Sequence, residues 1–70
     1  MKEKVHALIA KNLRELRHQK GISQENMSLA LDTNDKFIGH IERCERRVSL
    51  KKLIEIAEYF NVPMSRFFEE

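Results

Sequence analysis

Two short helical segments joined by a three-residue turn constrain the fold of this chain more than any other feature. Residues 24–31 and residues 35–43 each carry apolar side chains three or four positions apart, which is the spacing of one helix face. Between them lies Asp32-Thr33-Asn34, a run typical of turns. Helices this short and this closely joined have to cross steeply, so we expect their apolar faces to share one core. The residues of that core are Met27, Leu31, Ile38 and Ile41.

Helical periodicity continues on both sides of this pair, and the sequence lacks the alternation typical of strands. A first helix is predicted over residues 3–20, because Gly21 tolerates the left-handed backbone that ends helices. A fourth helix is predicted between Ser49 and Asn61, and Pro63 opens a last helical turn. The expected inward stripe of the first helix is Val5, Ile9, Leu13 and Leu16. The predicted N-caps are Ser23, Asn34 and Ser49.

Length and composition narrow the class of protein. Seventy residues make one small domain, so the prediction is an all-α fold, a compact five-helix bundle over residues 1–70 with a helix-turn-helix unit at about residues 23–42. The net charge of +2 is too small to imply a polyanionic partner by itself. One cysteine excludes an intrachain disulfide, and no apolar run reaches the roughly 18 residues of a membrane span. A cytoplasmic protein without a signal peptide or a membrane partner is expected.

The outer face of the third helix is the first candidate for a function. Lys36, His40 and Arg43 lie on it at positions i, i+4 and i+7, with Asp35 and Gly39 beside them. This face is polar, compact and narrow enough to enter the major groove of DNA. The spacing therefore indicates a DNA-reading helix.

At these positions the sequence resembles the phage-repressor/Cro-like (Xre-type) helix-turn-helix regulators. The resemblance spans about residues 9–68, and Phe37 with Arg47-Val48-Ser49-Leu50 suggests the controller proteins of restriction-modification systems as the subgroup. It implies a lambda repressor-like DNA-binding domain and transcriptional regulation by operator binding. The matching stretches are Leu13-Arg14-Glu15-Leu16-Arg17, Lys20-Gly21-Ile22-Ser23-Gln24-Glu25, Ile38-Gly39-His40-Ile41-Glu42-Arg43, Leu53-Ile54-Glu55-Ile56-Ala57 and Asn61-Val62-Pro63-Met64.

Four residues are candidates for reading bases. Lys36 suits guanine O6 and N7, and His40 can donate to the same atoms or to phosphate. Asp35 could accept from cytosine N4, or it could only stabilise the helix dipole. Gly39 either allows the backbone to approach a base or is incidental. A glycine inside a helix lowers its stability by about 1 kcal/mol relative to Ala.

A second set of residues is expected at the DNA backbone. The resemblance implies that Gln24 contacts phosphate and braces the reading helix. Phe37 is a candidate for packing in the core or for touching sugar or a thymine methyl group. Basic residues cluster at the start of the fourth helix. They are interpreted either as contacts to DNA phosphates or as a solvated basic loop. The full set is Gln24, Phe37, Arg43, Arg46, Arg47, Ser49, Lys51 and Lys52.

The resemblance also implies a structural salt bridge between Arg17 and Glu42, joining the first helix to the third. The family usually has Ala at Ser28 and Gly at Asp32 and Cys44. Asp tolerates left-handed backbone, so Asp32 is expected to keep its turn. Cys is less suited to that geometry, so we expect a different path for the chain after the third helix.

The C-terminal cluster Val62, Met64, Phe67 and Phe68 is too apolar to fit under one small domain. It predicts a homodimer interface, to which Leu8 or Leu50 could add. The expected partners are a double-stranded DNA operator and a second copy of the chain, with RNA polymerase or a toxin as further candidates.

An antitoxin-like protein-binding module is the main alternative function. No triad or paired-carboxylate arrangement indicates an enzyme, and the histidines lack metal-ligand spacing. No catalytic residue, cofactor or metal is therefore predicted, and Cys44 is interpreted as incidental rather than as a redox sensor.

Overall fold

The computed structural model describes residues 2–70, which form four α-helices and one short 3-10 helix. No strand occurs within this range, so the predicted all-α class is confirmed. The predicted count of five α-helices is wrong, because the segment after Pro63 winds as a tighter 3-10 helix. Met1, the first residue of the predicted domain, lies outside the described residues. The elements are α1 (Lys2–Lys20), α2 (Gln24–Ala30), α3 (Phe37–Glu42), α4 (Leu50–Phe60) and the C-terminal 3-10 helix (Met64–Phe68).

Local capping explains where most of the helices begin and end. Ser23 Oγ accepts from the backbone N–H of Asn26 at 3.0 Å, and Ser49 Oγ accepts from that of Lys52 at 3.1 Å. Asn61 ends α4 in the left-handed conformation, with φ 57°. The two serine caps and the stop at Asn61 are confirmed, since each depends on residues within one helical turn.

The start of α3 differs from the prediction. Asn34 does not cap this helix, because its Oδ1 accepts from the N–H of Lys36, only two residues on, at 2.8 Å. This bond closes a local turn that competes with helix, so α3 begins at Phe37 instead of Asp35. Asp35 and Lys36 therefore lie in the turn that leads into α3.

Two helices besides α4 end in left-handed residues that are not glycine. Asp32 has φ 61° after α2, as expected, and Cys44 has φ 60° after α3. The expectation that the chain would take another path at Cys44 is wrong. Paired backbone bonds hold the residue in place: Cys44 N–H donates to Ile41 O at 3.0 Å and Glu45 N–H donates to His40 O at 2.9 Å. These two bonds define a Schellman motif, which offsets the strain of a side chain at positive φ.

The core lies where α1, the crossed pair α2 and α3, α4 and the 3-10 helix meet. The expected residues Met27, Leu31, Ile38 and Ile41 are all buried in it. Val5 is 42% exposed, contrary to prediction, because the buried stripe of α1 begins one turn later. The buried apolar cluster is Ile9, Leu13, Leu16, Met27, Leu31, Phe37, Ile38, Ile41, Leu53, Ile56, Ala57 and Phe67.

A buried asparagine fastens the C-terminal segment to α1. Asn12 Nδ2 donates to the carbonyl oxygens of Phe67 and Glu69, both at 2.9 Å, and Asn12 Oδ1 accepts from Arg66 Nη1 at 2.9 Å. The side chain of Phe67 fills the core and is fully buried. Phe67 therefore has no surface for a partner, and its predicted place in a dimer interface is corrected to the core of the monomer.

Candidate nucleic-acid interface

A buried serine sets the crossing of α2 and α3. Ser28 Oγ donates to Gln24 O at 2.8 Å and accepts from the backbone N–H of Ile38 at 2.9 Å. Thr33 Oγ1 in turn donates to Ser28 O at 2.6 Å. The N–H of Ile38 belongs to the first turn of α3, where a helix lacks internal acceptors. Ser28 thus attaches the start of α3 to the body of α2.

An ion pair attaches the other end of α3 to α1. Arg17 Nε lies 2.6 Å from Glu42 Oε2, and Arg17 Nη2 lies 3.1 Å from Oε1. Gln24 Nε2 also donates to Glu42 Oε1 at 2.9 Å, and Arg14 Nη2 donates to the Glu42 carbonyl oxygen at 3.0 Å. The Glu42 side chain is fully buried, and Arg17 and Gln24 both donate to its carboxylate. Both ends of α3 are therefore held by polar contacts with a defined geometry.

These donors also set the ionisation of Glu42. Burial by itself would raise the pKa of its carboxyl group. The hydrogen bonds from Arg17 and Gln24, together with the charges of Arg17 and Arg14, outweigh burial and hold the pKa below its ordinary value. The Glu42 carboxylate is therefore ionised inside the protein, where Arg17, Gln24 and Arg14 stabilise its charge.

A polar cleft of about 230 Å³ lies between α2 and the outer face of α3. It brings together three of the predicted base-reading residues and two of the predicted backbone contacts. His40 does not line this cleft, whereas Glu25 does, although sequence reasoning missed it. The only signal for Glu25 was its place next to Gln24 in the first turn of α2. The lining residues are Gln24, Glu25, Asp35, Lys36, Gly39 and Arg43.

Gly39 is buried at the floor of this cleft. A Cβ at this position would lie 3.0 Å from both Arg43 Nη1 and Gln24 Oε1. The missing side chain leaves the space that these two groups occupy. Glycine at position 39 thus has a packing role that the sequence did not indicate.

The side chain of Glu45 covers two candidate contact residues. Its Oε1 lies 2.8 Å from His40 Nδ1, and its Oε2 accepts from Arg43 Nε at 3.1 Å. The hydrogen bonds from Arg43 and His40 lower the pKa of the Glu45 carboxyl group. Sequence reasoning did not select Glu45, because its contacts depend on the turn at Cys44.

The basic loop and the start of α4 lie beside α3. Phe37 is buried in the core, with the Arg46 guanidinium over its ring at 5.6 Å from the centroid. The predicted DNA contact by Phe37 is therefore corrected, since the ring is a core residue and a platform for Arg46. Ser49 Oγ is the cap of α4, and Lys52 Nζ is paired with Glu55 Oε1 at 2.8 Å. The exposed cations that remain are Arg46, Arg47 and Lys51.

The remaining members of the C-terminal cluster lie nearer the surface. Phe68 is 44% exposed, and Val62 and Met64 are half-buried against the core. Leu50 is largely exposed, whereas Leu8 is half-buried at an apolar groove on α1.

Two short helices crossed over a helical core, with a polar cleft on the outer face of the second, define a helix-turn-helix domain. Residues 13–67 match a protein-family model described as helix-turn-helix. The chain belongs to this family, in its Xre-type branch, and is homologous to controller proteins of restriction-modification systems. It is 31% identical over 62 residues to control protein C.SmaI from Serratia marcescens, covering 89% of this chain and 74% of that protein.

Solved structures agree with this assignment. The restriction-modification controller protein C.AhdI from Aeromonas hydrophila superimposes with a TM-score of 0.81 at 30% identity, covering 90% of this chain and 96% of that chain. A transcription factor described as hypothetical, NHTF from Neisseria, gives a TM-score of 0.87 at 24% identity over 96% of this chain and 78% of that chain, and supports the fold. The protein is a DNA-binding helix-turn-helix transcription regulator of the controller-protein type.

Between residues 2 and 70, no helix is long and apolar enough to cross a bilayer. The same range contains no cluster of three or more His, Cys, Asp or Glu side chains arranged to hold a metal ion.

Proposed function

We propose that this regulator reads a specific double-stranded DNA operator with the outer face of α3, acting as a homodimer on a palindromic site. The observation that most supports this proposal is that the two sides of α3 differ, with the inner one packed on the protein and the outer one polar. Ile38, Ile41 and Glu42 attach its inner face to the protein. On the outer side lie His40, Lys36 in the turn before the helix, and Arg43 directly after it. Because these inner contacts already fix the position of α3, its outer face can bind DNA with little loss of conformational entropy.

Base reading is assigned to the cleft and its rim. Lys36 enters from the turn before α3 and offers an ammonium group to guanine O6 and N7. Asp35 beside it offers an acceptor suited to cytosine N4, and His40 supplies a ring nitrogen one turn further along the helix. Gly39 has no side chain, so the Arg43 guanidinium and the Gln24 amide can lie on the floor of the cleft, below a base edge.

Phosphate contacts are assigned to the exposed cations that flank the reading face. Arg46, Arg47 and Lys51 are exposed on the loop that follows α3 and at the start of α4. Cations in such positions orient the protein on the duplex without reading its sequence. Gln24 is assigned a second role beside them, because its side chain braces Glu42 while lining the cleft.

Dimerisation is assigned to the surface around Phe68. A single helix-turn-helix domain covers few base pairs, and symmetric pairing doubles the contacts on a palindrome. Phe68 is the exposed member of the C-terminal cluster, with Val62 and Met64 partly covered beside the core. The two half-sites of the operator are expected about one helical turn, roughly 10 base pairs, apart.

A protein-binding role is the second candidate function. A groove lined by Lys4, Ala7, Leu8, Lys11 and Glu70 offers an apolar floor with a charged rim, away from the outer face of α3. Such a surface suits a protein partner such as a toxin or RNA polymerase. In that case the protein would bind its partner with similar strength whether or not its DNA-reading residues were intact.

Selection of bound duplexes from a random pool tests the main proposal. The selected operator and its single-base variants are then titrated with the wild type, Lys36→Ala and Arg47→Ala at several salt concentrations. Lys36→Ala should lose about 1–3 kcal/mol of discrimination at one base pair, with little change on random DNA. Arg47→Ala should weaken all duplexes alike and flatten the slope of log affinity against log salt by about one unit.

A Lys51→Ala variant serves as a second phosphate-type control, since its ammonium group is exposed and outside the cleft. If a folded Lys36→Ala protein keeps full preference at every base pair, the outer face of α3 is not the reading surface. If the wild type selects no duplex above the random pool, the proposed function itself is rejected.

A further inference from the structure

The chain that leaves α3 turns back over the reading face. Cys44 adopts φ 60°, and the bond from Glu45 N–H to His40 O, at 2.9 Å, closes the Schellman motif. In this motif, the residue after the left-handed one is brought near the side chain three positions before the C-cap. Here the C-cap is Arg43, so the motif brings Glu45 next to His40.

The contact made by the motif is polar where an apolar one is usual. One carboxylate spans two side chains of the outer face, with Oε1 at 2.8 Å from His40 Nδ1 and Oε2 at 3.1 Å from Arg43 Nε. Exposed ion pairs usually contribute little to stability, because both long side chains lose entropy when they are ordered. In this case the backbone of Glu45 is already fixed to α3, which reduces that entropic cost.

These contacts decide which nitrogen atoms remain for DNA. Since the carboxylate accepts at Nδ1, the proton of a neutral His40 ring resides on Nδ1 and Nε2 carries the lone pair. Within residues 2–70, His40 Nε2 makes no hydrogen bond. Arg43 uses Nε for Glu45, while its Nη1 lies over Gly39 at the floor of the cleft.

We propose that Glu45 is a positioning and specificity-determining residue for DNA reading. It holds His40 and Arg43 so that His40 Nε2 and the terminal nitrogens of Arg43 face the base pairs. Its negative charge also offsets that of the Arg43 guanidinium and lowers the attraction of this face to phosphates of any sequence. The inference rests on the proposed function, because it assigns a role on the same reading face.

Three variants test this role on the selected operator, its single-base variants and a random duplex. Glu45→Ala should lose discrimination by about tenfold at one or two base pairs and bind the random duplex more tightly. Its slope of log affinity against log salt should steepen by about one unit as Arg43 becomes free for phosphate. Glu45→Gln should recover part of the discrimination, because its amide oxygen still accepts from Arg43 or His40.

Glu58→Ala is the matched control. Glu58 is exposed on α4, outside the cleft, and its removal changes the net charge by the same amount. Glu58→Ala should therefore leave discrimination unchanged. Equal loss of discrimination in both alanine variants would show an effect of net charge alone and would overturn the proposal.

A spectroscopic measurement on the free protein separates positioning from a structural role. At about pH 8.5, well above the ordinary histidine pKa of about 6.5, the nitrogen-15 chemical shifts of a neutral ring report its tautomer. His40 should carry its proton on Nδ1 in the wild type and in Glu58→Ala, and should shift toward the mixture of free imidazole in Glu45→Ala. An unchanged tautomer with unchanged discrimination would overturn the proposal. So would a parallel loss of operator and random binding with a lower Tm.

Failure of the proposed function is distinguishable from failure of this inference. If the wild type selects no operator, the specificity role is rejected together with the DNA-reading function. The tautomer measurement, which needs no DNA, would then still show whether Glu45 positions His40. If the wild type selects an operator and Lys36→Ala loses discrimination but Glu45→Ala does not, only the inference about Glu45 is rejected.

Discussion

Arg17 and Glu42 form a two-pronged ion pair, with Nε to Oε2 at 2.6 Å and Nη2 to Oε1 at 3.1 Å. The pair joins the last turn of α1 to the last residue of α3 across 25 positions of sequence. The two side chains are 11% and 0% exposed, so neither charge can be rehydrated without moving a helix. The position of the reading helix therefore depends on both partners.

Arg17→Ala and Glu42→Ala should each destabilise the protein, and the double variant should lose less than the sum. Removing one partner leaves the other charge buried, which costs about 3–5 kcal/mol in fully buried pairs. Urea unfolding of the wild type and the three variants measures the coupling. Lys11→Ala is the control, because its partner Glu15 is exposed and the loss should be within about 1 kcal/mol. Small, additive losses at Arg17 and Glu42 would show that the pair carries no coupling.

Acidification should destabilise the wild type more than Glu42→Gln. The folded pKa of Glu42 lies below its ordinary value of 4.5, so the stabilisation is fully present above 4.5 and is lost as pH falls through the lower, folded value. Urea unfolding at pH values from about 6 to about 3 gives the difference in stability between the two proteins. That difference should shrink as pH falls below 4.5. A constant difference over the whole range would contradict the lowered pKa.

Ser28→Ala should destabilise the protein by about 1–3 kcal/mol, because it leaves the buried N–H of Ile38 without its acceptor. Ser65→Ala is the matched control, since Ser65 is exposed on the 3-10 helix and its hydroxyl makes no hydrogen bond within residues 2–70. Thermal unfolding should lower the Tm of the first variant only. Equal Tm values for the two variants would mean that the bond to Ile38 contributes nothing net.

Phe68→Ser should shift the protein toward monomer and weaken operator binding with little loss of folding stability. The ring is partly exposed, so its removal takes little from the core of a single chain but should take apolar area from a dimer. Light scattering over a concentration series gives the oligomeric state. Leu29→Ser is the control, because Leu29 is also exposed but lies on α2. A wild type that is monomeric both free and on its operator would reject the dimer.

Local sequence was sufficient wherever one helical turn decided the outcome. Ser23 and Ser49 cap helices through bonds to residues three positions on, and Asn61 ends α4 by its own backbone conformation. The apolar stripe of the crossed helices was predictable for the same reason, because a spacing of three or four residues places side chains on one face. These features required no knowledge of the rest of the chain.

Tertiary contacts decided what the spacing left open. Phe67 and Phe68 are neighbours of the same type, yet the first is fully buried and the second is 44% exposed. The difference arises because Asn12, 55 positions earlier, binds the Phe67 carbonyl oxygen and fixes which side of the segment meets the core. Composition and periodicity carry no record of such a contact.

The reading face also combines features that follow from local sequence with features that only tertiary contacts determine. The sequence by itself predicted Lys36, His40 and Arg43 on one face of the third helix, with Gly39 beside them. Only the structure showed that Glu45 returns over that side, because a left-handed residue reverses the chain and the resulting geometry depends on a backbone bond to His40. Helix type and helix ends follow from interactions within a few residues, whereas burial and the pairing of charges depend on which distant segments the folded chain brings together.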